Sequence, residues 1–244
     1  MLILETAPSA FGVATASPFC RKAEILLAMS GLDHELRPSD PRRGPRGKIP
    51  FLHDGDEIIA DSRLIQQHLE RRYEVDFDPG LRPEDKGVAV AARRLIEEHL
   101  YWAQTYFRWE HNGDNVRQAF FGALPLPLSH LVFRLVRRQV RTAMHAQGLG
   151  RMTEEEIVML AGEDLTALNR LFQGPFFFGP KLTSIDASLA GLIENILAPE
   201  LDTPLHRLAE PFRDYVQRVT RATPVAEVVP SRGPQGPVGV PVGG

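Results

Sequence analysis

The sequence predicts two domains of different class, an α/β domain at the N-terminus and an all-helical domain after it. The chain has 244 residues, which is long for a single compact pair of layers. Strand-like and helix-like segments alternate at first, and later the apolar residues keep the period of a helix. We place the domains at residues 1–75 and 84–229, with a linker at 76–83 and a disordered Gly/Pro-rich tail at 230–244.

The N-terminal domain is predicted to follow the order βαβ, loop, ββα. A strand at residues 2–4 leads through a loop rich in Ala, Gly, Ser and Pro to a helix that Ser17 caps and Gly31 ends. A strand at 34–37 and a polar, proline-containing loop come next. A hairpin and a helix complete this small sheet with its packed helices, at residues 51–53, 57–60 and 62–73.

The second domain is predicted to be helical throughout. One long helix runs from residue 84 toward Trp109, and residues 112–115 break it. The segment 112–151 is extra length that Pro125 and Pro127 interrupt, with a helix resuming at 131–146. Later helices begin at the capping box of Thr153 and Glu156, at Thr183 with Asp186, and near Leu205.

Composition and charge exclude several classes of function. A net charge of −3 gives no electrostatic case for nucleic acid, and we expect no membrane contact. The single cysteine, Cys20, excludes an intrachain disulfide and favours a reducing compartment, so we expect a cytoplasmic protein. Ala14-Thr15-Ala16 resembles a signal-peptidase site, but the segment before it has no basic region and is interrupted, so we expect no signal peptide. The histidines lack metal-type spacing, so we expect no metal.

A proline before a short strand, and an acid with a hydroxyl before a helix, form the most informative pattern in the chain. The residues are Lys48-Ile49-Pro50 and Asp61-Ser62. An unpaired backbone edge can pair with a peptide main chain, while a helix start binds carboxylate and Asp61 pairs with an ammonium group. The pattern therefore suits a small zwitterionic peptide. Singly, Lys48 is also explained as a solvated charge, Pro50 as a strand-edge stop and Asp61 as a helix cap.

Ser17 and Cys20 at the start of the first helix allow two interpretations each. Ser17 is a natural N-cap before Pro18, and a capped helix needs no chemistry. Alternatively, its hydroxyl and the helix N-terminus stabilise the thiolate of a ligand. Cys20 is either a small buried apolar residue or a redox-active thiol.

Two further clusters are open to both structural and functional interpretations. A basic amphipathic stretch suits a membrane surface, although we favour a helix with one solvated face; its arginines are Arg134, Arg137, Arg138 and Arg141. Aromatic residues gather at the end of the first long helix, where they form either core packing or an apolar pocket; they are Tyr101, Trp102, Tyr106, Phe107 and Trp109.

With these motifs, the chain resembles the glutathione transferase superfamily over about residues 1–225. The resemblance rests on Ser17-Pro18-Phe19-Cys20, Lys48-Ile49-Pro50, Asp61-Ser62 and the capping box Thr183-Ser184-Ile185-Asp186. It implies a thioredoxin-like α/β domain followed by an all-α domain. Finer features resemble the branch of failed axon connections and the metaxins. These are Ala10-Phe11-Gly12, Ser17-Pro18-Phe19, Arg108-Trp109 and Gly148-Leu149-Gly150-Arg151.

The resemblance also implies a role for individual residues. It implies a cis peptide before Pro50, with the backbone of Ile49 pairing with the cysteinyl part of glutathione. Asp61 and Ser62 would hold the γ-glutamyl end and Lys48 the glycyl carboxylate, and Phe19 would join the same site. Ser17 falls where the superfamily places the residue that activates the thiol. The long loop before Ser17 departs from typical transferases.

We therefore predict a glutathione transferase that acts on an apolar electrophile and forms a homodimer. The electrophile pocket would draw on Tyr101, Tyr106 and Trp109. A glutathione-linked thiol-disulfide reductase that uses Cys20 is one alternative. A non-catalytic interaction module is another, because the branch includes members without transferase activity and members that act in protein targeting.

Overall fold

A four-stranded sheet forms the N-terminal domain of the computed structural model, which describes residues 1–224 and residue 226. The strands are β1 (Leu2–Thr6), β2 (His34–Pro38), β3 (Phe51–Asp54) and β4 (Glu57–Ala60). Their order in space is β2-β1-β3-β4, with β1 parallel to β2 and the other pairs antiparallel. Leu4 lies opposite Leu36 and Leu52, and all three are buried. Burial of these apolar side chains sets the strand register.

Ten α-helices lie within the described residues, and most belong to the second domain. They are α1 (Pro18–Ser30), α2 (Ser62–Tyr73), α3 (Pro83–Arg94), α4 (Tyr101–Glu110), α5 (Gly113–Phe121), α6 (Leu126–Gln147), α7 (Glu154–Leu171), α8 (Ser184–Ile196), α9 (Leu205–Ala209) and α10 (Arg213–Ala222). The predicted class, a thioredoxin-like α/β domain followed by a helical domain, is confirmed. No helix or strand occupies residues 76–82. Our prediction for the tail at 230–244 lies outside the described residues.

The predicted long helix is present but changes its winding in the middle. A π-helical segment, Leu95–Leu100, joins α3 to α4 without a break in helical structure. Wide turns of this kind occur often at functional sites. Here the segment places Glu97 against α1, where its carboxylate accepts from the Lys22 ammonium at 2.7 Å and from the Ser188 hydroxyl at 2.8 Å.

Helix boundaries follow the chemistry of their end residues. Gly31 ends α1 with φ of 68°, a left-handed conformation that glycine adopts without strain. Both capping boxes are present, one of Thr153 with Glu156 on α7 and one of Thr183 with Asp186 on α8. The second box lies in the interior, since Asp186 is fully buried.

Close packing of α1 against α8 joins the two domains. A Cβ atom at Gly191 would lie 2.8 Å from the Pro18 carbonyl oxygen, so only glycine allows this approach. Arg21 on α1 pairs with Glu194 on α8 at 2.7 Å, and both lie mostly out of solvent. The N-terminus of α1 is therefore held in place by the helical domain.

The extra segment at 112–151 folds into the two helices α5 and α6. We expected Pro125 and Pro127 to interrupt the helix until residue 131, but α6 begins at Leu126. Pro127 lies in its first turn, where a backbone N–H needs no partner within the helix. Among the described residues, no single helix is long and apolar enough to cross a membrane. Within residues 1–224 and residue 226, the pair of α5 and α6 alone has the length and composition of a membrane span, and the two helices are bent by 115° at the break between them.

Candidate active site

Three segments that are distant in sequence meet at one end of the sheet. These are the start of α1 at Ser17, the turn before β3 and the start of α2. The Ile49–Pro50 peptide is cis, as the resemblance implied. The Asp61 N–H donates to the Pro50 carbonyl at 3.2 Å, and Ile49 packs in one apolar cluster with Cys20 of α1. The fold therefore brings the predicted motifs together.

Ser17 both caps α1 and presents its hydroxyl at the tip of that helix. Its Oγ accepts from the Cys20 backbone N–H at 3.3 Å, and the side chain is largely buried. Ser17 also lowers the pKa of the Cys20 thiol, against the larger rise that burial causes. A hydroxyl can cap through an oxygen lone pair and still donate its hydrogen, so capping and thiolate stabilisation are compatible at this residue.

Cys20 does not have the surroundings of a redox-active thiol. It is fully buried among Ala7, Ile49 and Phe51, and burial raises the pKa of its thiol to about 12. Reactive cysteines are exposed and have lowered pKa values, because the thiolate is the nucleophile. The geometry therefore disfavours the predicted redox role and matches that of a small buried apolar residue.

The turn at Lys48 and Ile49 is open to a ligand. Within the described residues, the backbone N–H and C=O of Ile49 make no hydrogen bond, although its side chain is buried. Lys48 is partly exposed, and no carboxylate of the described chain forms an ion pair with it. An unpaired N–H and C=O on one residue are what a peptide main chain needs for pairing.

The start of α2 holds an acid and a hydroxyl on a strained backbone. Asp61 has φ of 87°, which is unusual for a residue other than glycine, and its carboxylate accepts from the Arg63 N–H at 2.8 Å. Asp61 is exposed. Burial lowers the pKa of the Lys22 ammonium on α1, and the negative charges of Glu97 and Asp61 oppose that shift. The Ser62 hydroxyl has no hydrogen-bond partner in the described part of the chain. Strain and free polar groups at a helix start fit a binding site for a charged ligand.

A buried guanidinium lies directly behind Ser17. Arg108 of α4 donates to the Ala16 carbonyl at 2.6 Å and to Asn195 Oδ1 at 2.8 Å. Its guanidinium also lies 5.2 Å from the centre of the Phe11 ring. No carboxylate among the described residues forms an ion pair with it, and burial lowers the pKa of Arg108 to about 10. A positive charge without an acidic partner is thus fixed next to the residue that precedes Ser17.

The long loop before Ser17 is attached to the helical domain along its length. Asn195 of α8 donates to the Thr15 carbonyl at 3.2 Å, and Phe11 packs edge-on against Phe120 of α5 at 5.4 Å. Gly12 lies so close to Pro199 that a Cβ would come within 2.6 Å. These contacts place the loop in a single position and orient Ser17.

The structure does not bring the three predicted pocket aromatics together. Tyr101 lies beside Phe19, with ring centres 4.9 Å apart, and both line a small cleft between α1 and α8. Tyr106 lines a different cavity, toward α6. Trp109 is buried and stacks on Phe133 within the helical domain. Of the three, Tyr101 is the one that contacts the first turn of α1.

Sequence reasoning missed Arg108 and Asn195 as parts of this site. Arg108 was noted only as part of a motif of the branch. One available signal is that Gln104 and Arg108 are four residues apart on a helix otherwise rich in apolar residues, so both face one side. Asn195 carries no comparable local signal, because its partners are far away in sequence.

Comparisons with known proteins agree with this architecture. A family model of the glutathione S-transferase N-terminal domain matches residues 18–115. The isoprene-epoxide–glutathione S-transferase of Rhodococcus sp. strain AD45 is 30% identical over 229 residues, which cover 87% of this chain and 94% of that protein. A structure of a glutathione S-transferase from Ceriporiopsis subvermispora with glutathione has a TM-score of 0.65 at 16% identity, covering 93% of this chain and 99% of that one.

Two other relatives are longer than this chain. Failed axon connections of Drosophila melanogaster is 30% identical over 82% of this chain, and human metaxin-2 is 27% identical over 70%. The chain spans 50% and 65% of their respective lengths. With this fold and these relatives, the chain belongs to the glutathione transferase superfamily, in the branch that contains failed axon connections and the metaxins.

Proposed function

We propose that this protein is a glutathione-dependent transferase in which Ser17 stabilises the glutathione thiolate. The observation that carries the proposal is the meeting of Ser17, the cis Ile49–Pro50 turn and Asp61-Ser62 at one end of the sheet. Each segment alone has a structural explanation. Together they offer a peptide an open backbone pair, a free hydroxyl and an acid.

The proposed groove matches the chemistry of glutathione along its length. The Ile49 N–H and C=O would pair with the cysteinyl main chain. Asp61 would receive the γ-glutamyl ammonium, while the Ser62 hydroxyl and the first N–H groups of α2 would receive its carboxylate. Lys48 would bind the glycyl carboxylate, and Phe19 would pack against the tripeptide.

In the proposed reaction the sulfur lies at the tip of α1. The Ser17 hydroxyl donates to it, and the positive end of the α1 dipole favours the charged form. A thiolate is a strong acceptor, so the hydroxyl would donate to the sulfur of the ligand. Two effects then accelerate the reaction: a higher thiolate fraction, and the fixed position of the sulfur relative to the second substrate.

Small apolar epoxides are the electrophiles to test first. The Rhodococcus relative is named for an isoprene epoxide, and this chain spans nearly all of that protein. In such a reaction the thiolate forms a C–S bond while the epoxide C–O bond breaks, and the alkoxide takes a proton from solvent. Tyr101 and Phe19, beside the start of α1, would supply apolar contact for this substrate.

The test combines calorimetry with glutathione and a conjugation assay on the wild type, Ser17→Ala and Ser17→Thr. We expect Ser17→Ala to lower kcat/KM by about 10²-fold, the usual effect of removing one preorganised donor, and Ser17→Thr to restore part of the loss. Ser30→Ala removes a hydroxyl at the other end of α1 and serves as the matched control. Glutathione binding with conjugation unaffected by Ser17→Ala would remove Ser17 from the mechanism, and failure to bind glutathione would reject the proposal.

We also propose that the protein works as a homodimer in the cytoplasm. Exposed apolar side chains suited to self-association lie on three elements, with Ile58 on β4, Leu64 on α2 and Val90 on α3. Light scattering on the wild type and Val90→Asp tests the dimer, which we expect the substitution to weaken. Cell fractionation tests the compartment, for which the lone thiol of Cys20 is the supporting observation.

A further inference from the structure

The outward face of α6 is unlike the rest of the described surface. Eleven large apolar side chains are exposed in the described residues, and four of them lie in one ten-residue stretch of this helix. They are Leu126, Leu128, Leu131 and Leu135. Exposed apolar side chains are ordinary when scattered, but a row of them marks an interaction site. Three of them recur at the spacing of one helix face, and we call Leu128, Leu131 and Leu135 the leucine face; Leu126, at the first helical position, points to another side.

Basic residues border the leucine face, and acidic residues are absent from the whole helix. Residues 126–147 contain four arginines and two histidines but no Asp or Glu, in a chain whose net charge is −3. Glu110 of α4 pairs with Arg137 and Arg141. Arg134 and Arg138 are exposed, and no carboxylate of the described chain forms an ion pair with either of them.

The geometry of a helix places Arg134 and Arg138 at one edge of the leucine face. At 100° per residue, Leu128, Leu131 and Leu135 point to the side opposite the buried Phe133 and Val140. Arg134 and Arg138 lie along one side of this row. Apolar residues on the outward face with arginines at its edge are the pattern of a helix that lies in a membrane interface.

A cavity continues the basic edge toward the C-terminal end of α6. It has a volume of about 460 Å³, and Arg138, Arg141, Tyr106 and Thr142 are among its lining residues. Glu110 also lines it and already accepts from Arg141. Arg138 is therefore the cation there that remains to bind an anionic headgroup next to the leucine face.

We propose that the leucine face and the basic edge of α6 dock the protein on an anionic membrane surface. This reverses the expectation from sequence, which assigned the outward side of the helix to water. A second copy of the chain fits less well as the partner. A two-fold contact through the leucine face would place Arg134 and Arg138 of one copy against the leucine face of the other. The leucines also project from a convex helix, and lipid chains adapt to such a surface without a matching groove.

The test is cosedimentation of the full chain with vesicles of phosphatidylcholine, alone and mixed with phosphatidylglycerol. We expect binding to the anionic vesicles only, and weaker binding as salt rises. Arg134→Gln and Arg138→Gln should each weaken binding about fivefold. Leu131→Ser combined with Leu135→Ser should weaken it by about tenfold or more.

Matched variants on α7 control for loss of any exposed leucine-sized or basic side chain. Met159 is 56% exposed, the same fraction as Leu131, so Met159→Ser is compared with Leu131→Ser, and Arg170→Gln is compared with Arg138→Gln. Circular dichroism checks that every variant is folded. Equal binding to neutral vesicles, no binding at all, or α6 variants that bind like the wild type would each overturn the proposal. So would a wild-type dimer that Leu131→Ser separates in the absence of vesicle binding.

Discussion

We predict that Asp186→Ala destabilises the protein far more than Glu156→Ala. The two acids occupy equivalent positions in the capping boxes of α8 and α7. The two Asp186 oxygens accept four hydrogen bonds, each 2.8 or 2.9 Å long, and the residue is fully buried. The donors are the backbone N–H groups of Phe177 and Thr183, the Thr183 hydroxyl and the Tyr215 hydroxyl. Glu156 occupies the same place in the box on α7, but there the side chain is exposed.

The expected cost follows from what happens to the donors. An unsatisfied buried donor costs about 1–3 kcal/mol. The Tyr215 hydroxyl can still donate to the backbone carbonyl of residue 186, at 3.3 Å, so three donors lose their acceptor and the cost is about 3 kcal/mol at the low end of that range. We take the low end because burial raises the pKa of Asp186, which shows that desolvation offsets part of the gain from its hydrogen bonds. Water replaces the lost acceptor at Glu156, so Glu156→Ala should cost about 1 kcal/mol.

Urea unfolding followed by circular dichroism measures both changes. The free energy of unfolding falls by about 3 kcal/mol per M of urea, so Asp186→Ala should lower the unfolding midpoint by about 1 M and Glu156→Ala by about 0.3 M. The slope should stay the same in both variants. Similar midpoint shifts for the two substitutions would refute the reasoning, because burial of the donors would then not decide the cost.

Three further predictions test the packing and the charges around α1. Burial raises the pKa of Glu24 from 4.5 to about 7, so this group contributes stability below pH 4.5 that is lost as pH rises through about 7. Urea midpoints measured across this range should fall as pH rises, by the equivalent of up to about 3 kcal/mol in the free energy of unfolding. A Glu24→Gln variant whose stability falls as steeply with pH as that of the wild type contradicts the assignment of this pH dependence to Glu24. Gly191→Ala should lower the free energy of unfolding by about 1–3 kcal/mol, because the added methyl group forces α1 and α8 apart. Gly162→Ala is the control: its nearest contact is 3.7 Å away, so the substitution should be neutral or stabilising. A thermal unfolding experiment in which Gly191→Ala is the more stable variant argues against the close contact. Arg108→Lys retains a positive charge but loses the fork that holds Ala16, so kcat for conjugation should fall about tenfold while KM for glutathione changes little, and an unchanged kcat excludes Arg108 as a positioning residue.

The elements that sequence predicted well are those with local causes. The helix α1 begins after Ser17 and ends before Gly31, as expected, because a cap and a left-handed C-terminal residue act within one turn. The hairpin and α2 appear at their predicted places for similar reasons. The start of α6 was missed, since a proline that interrupts a helix interior is acceptable in its first turn, and sequence does not say which position it takes.

The site was predicted in its parts but not in its support. Ile49-Pro50 and Asp61-Ser62 were identified from their order in the chain, and the fold brings them to Ser17. The redox role of Cys20 was left open by sequence, because a cysteine near a helix start is compatible with exposure or with burial. Only the packing of Cys20 against Ile49 showed that the thiol is enclosed.

The order of strands and helices, their caps and the motifs of the groove follow from the amino-acid sequence, because each depends on residues a few positions apart. The surroundings of the groove do not. Arg108 reaches Ala16 across 92 residues, and Asn195 reaches Thr15 across 180. Such contacts form only when the two domains pack through α1 and α8. Packing within the helical domain decides that Trp109 lies in the core while the leucines of α6 face outward. Burial and charge pairing are properties of the assembled chain, so they became visible only in three dimensions.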